Sequence, residues 1–287
     1  MKTKSLVFLL SFFLLPVHSA FALDAGTAKG SLKAGGKDIP LKYSIAYQLD
    51  NAEGLLDRPK ELRIVLSDRE VPQQALAGIA FPPVMQLARE GKVQGIMLRL
   101  DPADRKNIVV TLLAAPSDPR MSLTNLTVGG SQDAFKKLDI ANNRVIGEVA
   151  YKESRAGSAD MPSLDFSISF SSPLFNDPAV TADLKGEAAR KSPQAQLLRD
   201  KARALAKGDF DGLKKLSTER QNKSTDVFLA QAGPNAKAFA KEAAGAIEAS
   251  LKTLERVIVR GDRAVAIVGK GEWMTFVRET GQWRSDD

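Results

Sequence analysis

The chain offers few side chains that could carry out catalysis. Its only histidine, His18, lies in the N-terminal stretch LLPVHSAFALDAG, and cysteine is absent. Imidazole and thiol groups perform much of the general-base and nucleophilic chemistry of enzymes. A serine activated by a lysine is possible without them, but no serine lies in a Gly-x-Ser-x-Gly sequence. We therefore predict no catalytic residue, with a Ser–Lys or carboxylate hydrolase as the alternative.

Two pairs of carboxylates are the remaining candidates for chemistry. Asp101 and Asp104 lie in LDPADRK, a proline-containing turn between predicted strands, where aspartate is common. Asp209 and Asp211 resemble the start of a calcium loop, but the third oxygen ligand that such a loop needs before its glycine is absent. Capping of a helix by Asp209 explains this pair better. We predict no metal site and no cofactor.

The N terminus has the pattern of a secretory signal peptide. Two lysines precede an apolar run from Leu6 to Leu15, and Ala20-Phe21-Ala22 has the small-x-small form of a cleavage site. The run is too short to span a bilayer. We therefore expect residues 1–22 to be removed together with His18, which leaves a periplasmic or secreted protein without a transmembrane segment.

Composition excludes several classes of function. The formal charge of +7 is spread along the chain, without the basic stripe and interleaved aromatic residues of a nucleic-acid binder. The absence of cysteine excludes disulfides and thiolate metal sites. The exported protein is thus expected to be stabilised by its apolar cores and to bind no nucleic acid.

Residues 23–175 show the period of two that is typical of β-strands. The stretch IPLKYSIAYQL places Ile39, Leu41, Tyr43, Ile45, Tyr47 and Leu49 on one predicted face. The stretches ELRIVLSD, QGIMLRLDP, NIVVTLLAAP, RVIGEVAY and LDFSISFSS repeat the pattern, and PPVMQLAREGK predicts one helix. The strands predict an all-β antiparallel sandwich or barrel, and of the two we favour a sandwich of an immunoglobulin-like or similar kind.

The composition changes after this part. Residues 176–192 contain charges, proline and glycine without a strand pattern, which predicts a linker. Residues 193–287 begin with helices at SPQAQLLRDKARALAKG and PNAKAFAKEAAGAIEASLKTL, and they end with strands that are separated by glycine-containing turns. In the second helix the predicted apolar stripe is Phe239, Ala243, Ile247 and Leu251. Helices followed by an antiparallel meander predict an α+β domain.

The C-terminal part resembles a known superfamily. A helix ending in ALAKGDFDGLKKLS precedes a long helix, a strand, GDRAVAIV, another strand and a terminal Gly-x-Trp-Arg. This order is similar to the nuclear-transport-factor-2-like superfamily, in its branch of lumazine-binding-like bacterial envelope domains, and implies a cone-shaped fold for residues 193–287. The match is carried by Ala206, Gly208, Asp209, Leu216, Gly261, Asp262, Ala264, Val265, Gly281, Trp283 and Arg284.

The strand EWMTFVRE is the best candidate for a binding surface. Trp273 and Val277 alternate with Phe276 and Arg278, so large apolar residues lie on both faces, whereas a half-exposed sheet has one polar face. One face could be ordinary surface, line a pocket inside the cone or form a dimer contact between sheets. Our candidate ligand-binding residues are Trp273, Phe276, Arg278, Trp283 and Phe239.

These observations favour a non-catalytic envelope protein. It would bind a protein partner, a second copy of itself through the C-terminal sheet, or a small apolar or anionic ligand that Arg278 could contact. A hydrolase and a purely structural assembly module are the alternatives.

Overall fold

The computed structural model describes residues 23–79, 82–116, 123–128, 135–152 and 163–286. The described chain is mostly antiparallel β-structure, with a large curled sheet and a second, smaller sheet. The strands of the large sheet are β1 (Thr27–Ala34), β2 (Lys37–Asp38), β3 (Tyr43–Asp50), β4 (Lys60–Ser67), β5 (Gly95–Leu100), β6 (Ile108–Leu113), β7 (Asn125–Val128), β8 (Phe135–Ala141), β9 (Arg144–Lys152) and β10 (Leu164–Asn176).

The large sheet is one continuous sheet, in the order β7-β6-β5-β4-β3-β1-β10-β9-β8 with β2 attached to β1. The predicted stacking of two sheets is therefore not what the topology shows. The cause is β10, a strand of 13 residues. It pairs with β1 and β9 along most of its length and then, in parallel, with β3, where Leu174 lies opposite Ala46. One long strand thus joins both halves of the sheet.

The inner face of the curl holds the largest core. Alternate residues of β4 point into it, among them Leu62, Ile64 and Leu66, together with Phe166 and Phe170 of β10. These are the residues that the period of two predicted. The predicted strands in ELRIVLSD, QGIMLRLDP, NIVVTLLAAP, RVIGEVAY and LDFSISFSS are all confirmed.

A second core covers the outer face of the same strands. Val65 of β4 and Tyr47 of β3 pack there beneath residues 71–79 and 82–93, which include a 3₁₀ turn (Gln73–Leu76) and the predicted helix α1 (Pro83–Arg89). The prediction of one apolar face for residues 39–49 is wrong, because Ile39 and Leu41 belong to the inner core. Pro40 interrupts the strand, and β3 begins only at Tyr43.

Arg63 is the polar centre of this outer core. Its side chain is 0% exposed and forms an ion pair with Glu61 at 2.8 Å. The same guanidinium donates hydrogen bonds to the carbonyl oxygens of Leu76, Gly78 and Ile79. Burial lowers the pKa of Arg63, whereas the neighbouring Glu61 carboxylate opposes that shift. Arg63 therefore fixes the loop that follows the 3₁₀ turn.

The C-terminal part contains helices that pack on the small sheet. The helices are α2 (Glu187–Arg190), α3 (Pro193–Lys207), α4 (Phe210–Lys215), α5 (Glu219–Ala232) and α6 (Ala236–Lys252). The small sheet runs in chain order through β11 (Ala182–Lys185), β12 (Leu254–Arg260), β13 (Arg263–Val268), β14 (Glu272–Glu279) and β15 (Gln282–Ser285).

Local signals place α3 and α4 correctly. The Ser192 hydroxyl caps α3 by accepting from the Ala195 amide at 3.1 Å, and Gly208 ends the helix in the left-handed conformation at φ 66°. Asp209 caps α4 by accepting from the Gly212 amide at 2.8 Å. The capping interpretation of Asp209 is confirmed.

Three expectations for the C-terminal part need correction. Residues 176–192 are not an irregular linker, because they contain β11, which pairs with β12, and α2. Helix α5 was not predicted, and none of its residues is buried. In α6 the buried face is Ala236, Ala240 and Ala244, whereas Phe239 is 47% exposed. Alanine allows a close approach to α3, and a phenylalanine on that face would not.

The predicted signal peptide, residues 1–22, lies outside the described residues. None of the helices in the described part of the chain combines the length and the apolar character that crossing a lipid bilayer requires.

We expect Arg63→Met to lower the free energy of unfolding by about 3–5 kcal/mol, because it leaves Glu61 buried without its counter-ion. Denaturant unfolding measures the change. The control is Arg69→Met, since Arg69 is largely exposed and pairs with the neighbouring Asp68; its effect should stay within about 0.5 kcal/mol. Adding Glu61→Gln to Arg63→Met should restore part of the loss. Equal effects of the two single variants would contradict the assigned role.

Candidate functional site

A cleft of about 1160 Å³ lies between the covering of the large sheet and the small sheet. One wall is formed by residues 73–79 and 82–89, and Arg63 holds its 76–79 segment in place. The second wall is the face of β12, β13 and β14 that points away from the helices, and the third is the start of α5 with Asp286. Tyr47, Glu53 and Asp177 also line the cleft.

The wall formed by the small sheet is apolar. Strand register places Ile258, Val265 and Thr275 side by side on its outer face, with Trp273 and Val277 flanking Thr275 on β14. The opposite face of the same strands carries Val257, Ala264 and Phe276, which pack in the core beneath α3. The apolar residues on both faces of EWMTFVRE thus have separate environments, a helix-covered core and the cleft.

Buried ion pairs form the floor of the cleft. We call Tyr47, Glu53, Asp177, Arg260 and Arg263 the interface cluster. The Arg260 guanidinium donates to Glu53 Oε1 at 2.8 Å and to the Pro178 carbonyl oxygen at 2.9 Å, and it lies 3.6 Å from Asp177 Oδ2. The side chains of Arg260, Glu53 and Asp177 are 5%, 3% and 4% exposed. Arg260 comes from the small sheet and Glu53 from the β3–β4 loop, so these contacts join the two sheets.

A second arginine completes the interface cluster. Arg263 donates to Asp177 Oδ1 and, at 3.1 Å, to the Tyr47 hydroxyl oxygen. The Tyr47 hydroxyl donates to the same Asp177 oxygen at 2.8 Å. The two carboxylates and two guanidinium groups balance in charge, which is the condition for burying them.

The environment shifts the proton affinity of two members of the interface cluster. Burial raises the pKa of the Tyr47 phenol, and Asp177 adds to the rise while Arg263 opposes it. Burial disfavours the charged form of Arg260, but hydrogen bonding and attraction by Glu53, with Asp177 and Asp50, raise its pKa overall. Tyr47 is therefore neutral and Arg260 charged at neutral pH.

Asn51 shapes the loop that carries Glu53. Its amide oxygen accepts from the Leu55 and Leu56 amides at 2.8 and 3.0 Å, and its amide nitrogen donates to the Leu56 and Arg58 carbonyl oxygens. These four bonds close the loop around a single side chain. The loop then presents Glu53 to Arg260, although Glu53 Oε2 is buried without a hydrogen-bond partner.

A smaller ion pair supports the third wall. Arg220 Nη2 lies 2.7 Å from Asp286 Oδ2, and the Thr218 hydroxyl donates to Asp286 Oδ1 at 2.6 Å. Thr218 also caps α5 by accepting from the Gln221 amide at 3.2 Å. The C-terminal strand thereby fixes the first turn of α5 at the cleft.

The structure does not bring the five predicted ligand-binding residues together. Trp273 lines the cleft and is 36% exposed, whereas the side chain of Phe276 lies on the opposite face of β14, in the core beneath α3, and is 1% exposed. The Arg278 guanidinium lies 4.5 Å above the Trp283 ring, and neither residue lines the cleft. Phe239 packs edge-on against Phe228 of α5, with ring centroids 5.9 Å apart.

The candidates for chemistry have structural roles. Asp101 and Asp104 accept from the Ala103 and Lys106 amides, as aspartates do in turns. A Ser–Lys contact does exist, since Lys201 Nζ donates to Ser285 Oγ at 2.7 Å. Ser285 does not line the cleft, so it is not placed to meet a substrate that is bound there.

No cluster of three or more potential metal-ligating side chains occurs within the described ranges.

Sequence reasoning missed the interface cluster. Its members come from β3, the β3–β4 loop, the end of β10, and β12 and β13, and all of them except Tyr47 look like ordinary surface residues in their local sequence. The sequence signal for the cleft was indirect: the strand EWMTFVRE carries apolar residues on both faces, which indicated that neither face is ordinary solvent-exposed surface. No family model, no curated protein and no solved structure matches the chain.

We expect Arg260→Met to lower the free energy of unfolding by about 3–5 kcal/mol, because Glu53 and Asp177 stay buried after losing their shared cation. Arg256→Met is the matched control on the same strand, where the pair with Asp183 is partly exposed; its effect should be below about 1 kcal/mol. Urea unfolding measures both variants. A loss no larger for Arg260→Met than for Arg256→Met would contradict the role of the interface cluster.

The raised pKa of Tyr47 predicts an alkaline effect. The native protein holds this phenolic proton more tightly than the unfolded chain, whose pKa is about 10, so stability is retained below that pH and falls as the pH rises beyond it. An ultraviolet titration should show late phenolate formation that Tyr47→Phe removes. If Tyr47→Phe instead leaves both the late titration and the alkaline fall in stability unchanged, the assignment to Tyr47 is wrong.

Proposed function

We propose that this chain is an exported, non-catalytic binding protein that holds its ligand in the cleft. The observation that carries the proposal is the apolar outer face of the small sheet, which includes Ile258, Val265, Val277 and Trp273 and lines a cleft of about 1160 Å³. Concave, mostly apolar sites with a few polar groups are the usual form of ligand-binding sites.

The proposal includes two domains. Residues 23–175 would form the β-rich domain, and residues 193–287 would form a divergent α+β domain of the nuclear-transport-factor-2-like kind. The helices before a four-strand meander, β12 to β15, support this assignment. Residues 176–192 would then connect the domains while adding β11 to the small sheet. Export is supported by the signal-peptide pattern of residues 1–22.

Binding accounts for the cleft better than catalysis does. The polar groups on its floor are already engaged with one another, as in the contact of Arg260 with Glu53 and that of Arg263 with Asp177. A general acid or base must instead reach a substrate atom. The Ser–Lys contact of Lys201 with Ser285 lies outside the cleft lining. The geometry therefore favours a binding role over hydrolysis.

The location of the apolar face also favours a ligand over a second copy of the chain. Residues 73–79 and 82–89 line the same cleft as β13 and β14, so they occupy space next to the apolar face that a partner sheet would need. A small molecule or a narrow peptide segment needs less space beside the apolar face than a sheet does.

A fluorescence experiment tests the binding role. Trp283→Phe leaves Trp273 as the only tryptophan, and we expect N-phenyl-1-naphthylamine, an uncharged apolar probe, to gain fluorescence in the cleft while it quenches Trp273. Adding Val265→Lys should weaken the probe about tenfold or more, because it places a charge on the apolar wall. Far-ultraviolet circular dichroism checks that each variant is folded.

Val227→Lys is the matched control, because Val227 is an exposed valine, at 58%, on α5 outside the cleft. It should leave probe binding unchanged. Probe binding that survives Val265→Lys, or that Val227→Lys removes equally, would overturn the assignment of the cleft.

A further inference from the structure

We propose that the occupant of the cleft is an extended peptide segment of a partner protein, apolar at alternate positions and basic between them. This inference rests on the proposed binding function and names its ligand class. Four features of the described cleft carry it: its size, its unpaired amide side chains, its unbalanced charge and one buried carboxylate oxygen.

The volume of the cleft lies just above the usual range for small-molecule pockets. Pockets for drug-sized ligands occupy roughly 300–1,000 Å³, and this cleft has about 1160 Å³ between walls contributed by both ends of the chain. An extended peptide fits such a space, because its side chains point alternately to opposite sides. One set can contact Ile258, Val265 and Val277 while the other set reaches the polar groups.

Unpaired amide groups line two of the three walls. The side-chain amides of Gln73 and Gln74 on one wall and of Gln221 on another form no hydrogen bond with any part of the chain that the structure describes. Each such amide offers both donors and an acceptor. A peptide backbone supplies the complementary carbonyl and N–H groups at every residue, whereas an acyl chain supplies neither.

The charge of the cleft favours a basic segment. Arg220, Arg260 and Arg263 are each paired with a carboxylate of the protein itself. Asp262 and Glu279 of the cleft lining have no ion-pair partner among the described residues. Arg89 is the lining cation that likewise lacks a partner among them, so the unpaired acidic side chains outnumber the unpaired basic one. A lysine or arginine of the ligand would restore the charge balance of the cleft lining.

Glu53 gives the strongest indication of a donor in the ligand. Its side chain is 3% exposed and lines the cleft, and Oε1 accepts from Arg260 while Oε2 has no hydrogen-bond partner. A buried carboxylate oxygen without a donor is costly. An ammonium or guanidinium group of a bound peptide supplies that donor, and a carboxylate or an alkyl chain does not.

Binding of defined probes tests the inference. The Trp283→Phe protein is titrated with a capped peptide of alternating valine and lysine, with its valine–glutamate and valine–serine counterparts, and with dodecylamine and dodecanoate. Trp273 fluorescence reports the binding of each probe. We expect the valine–lysine peptide to bind at least about tenfold more tightly than the valine–glutamate peptide, and more tightly than either amphiphile.

Three variants locate the recognition of charge. Glu279→Gln changes an exposed carboxylate that forms no ion pair with the residues described by the structure, and it should weaken the binding of the valine–lysine peptide about threefold. Glu53→Gln should weaken it about tenfold. Glu248→Gln, on an exposed part of α6 outside the cleft, is the control and should leave the affinity unchanged. Because Glu279 lies outside the interface cluster, its variant tests the inference even if Glu53→Gln fails to fold.

The outcomes separate this inference from the proposed function. Equal affinity for the lysine and glutamate peptides, or binding of the amphiphiles alone, would overturn the basic-peptide inference and leave the binding function standing. An unchanged affinity in Glu279→Gln would overturn the assigned charge recognition. If neither the peptides, the amphiphiles nor N-phenyl-1-naphthylamine binds, the proposed function itself fails.

Discussion

The salt bridge between Arg260 and Glu53 is the interaction on which the arrangement of the two sheets depends. Arg260 belongs to β12, Glu53 belongs to the β3–β4 loop, and both side chains are almost completely buried. A charge that leaves water is tolerated only when opposite charge and hydrogen bonds replace its hydration. Asp177 and Arg263 complete that compensation. Displacing the small sheet from the large one would therefore break several buried charge contacts at once.

This constraint also explains why the cleft exists. The interface cluster joins the two sheets at the floor, whereas Arg63 fixes residues 76–79 on the opposite wall through their carbonyl oxygens. The outer face of β13 and β14 therefore faces this wall across open space instead of packing against it. Apolar surface that stays uncovered is unfavourable in water. A bound ligand would remove that surface from water, which couples the shape of the cleft to a binding role.

Much of the secondary structure could be predicted from the sequence, because its signals are local. The period of two predicted β4, β5, β6, β9 and β10, and Ser192 and Gly208 marked the ends of α3. The missed elements lack such signals: β7 has four residues, the charged strand β8 has no buried residue, and α5 buries none of its residues. Glu61 and Arg63 looked solvent-exposed because they alternate with apolar residues. They are buried only because residues 71–79 and 82–93 cover the outer face.

The sequence by itself determined the types of element, several of their caps and turns, and the absence of thiol chemistry. Each of these depends on residue identity or on contacts across a few positions. Only the tertiary structure decided that β10 joins one curled sheet and that Trp273 lines the cleft while Phe239 does not. It also decided that Glu53 meets Arg260. That contact joins residues 207 positions apart, and no periodicity encodes the pairing of two charges that become neighbours only when separate sheets pack together.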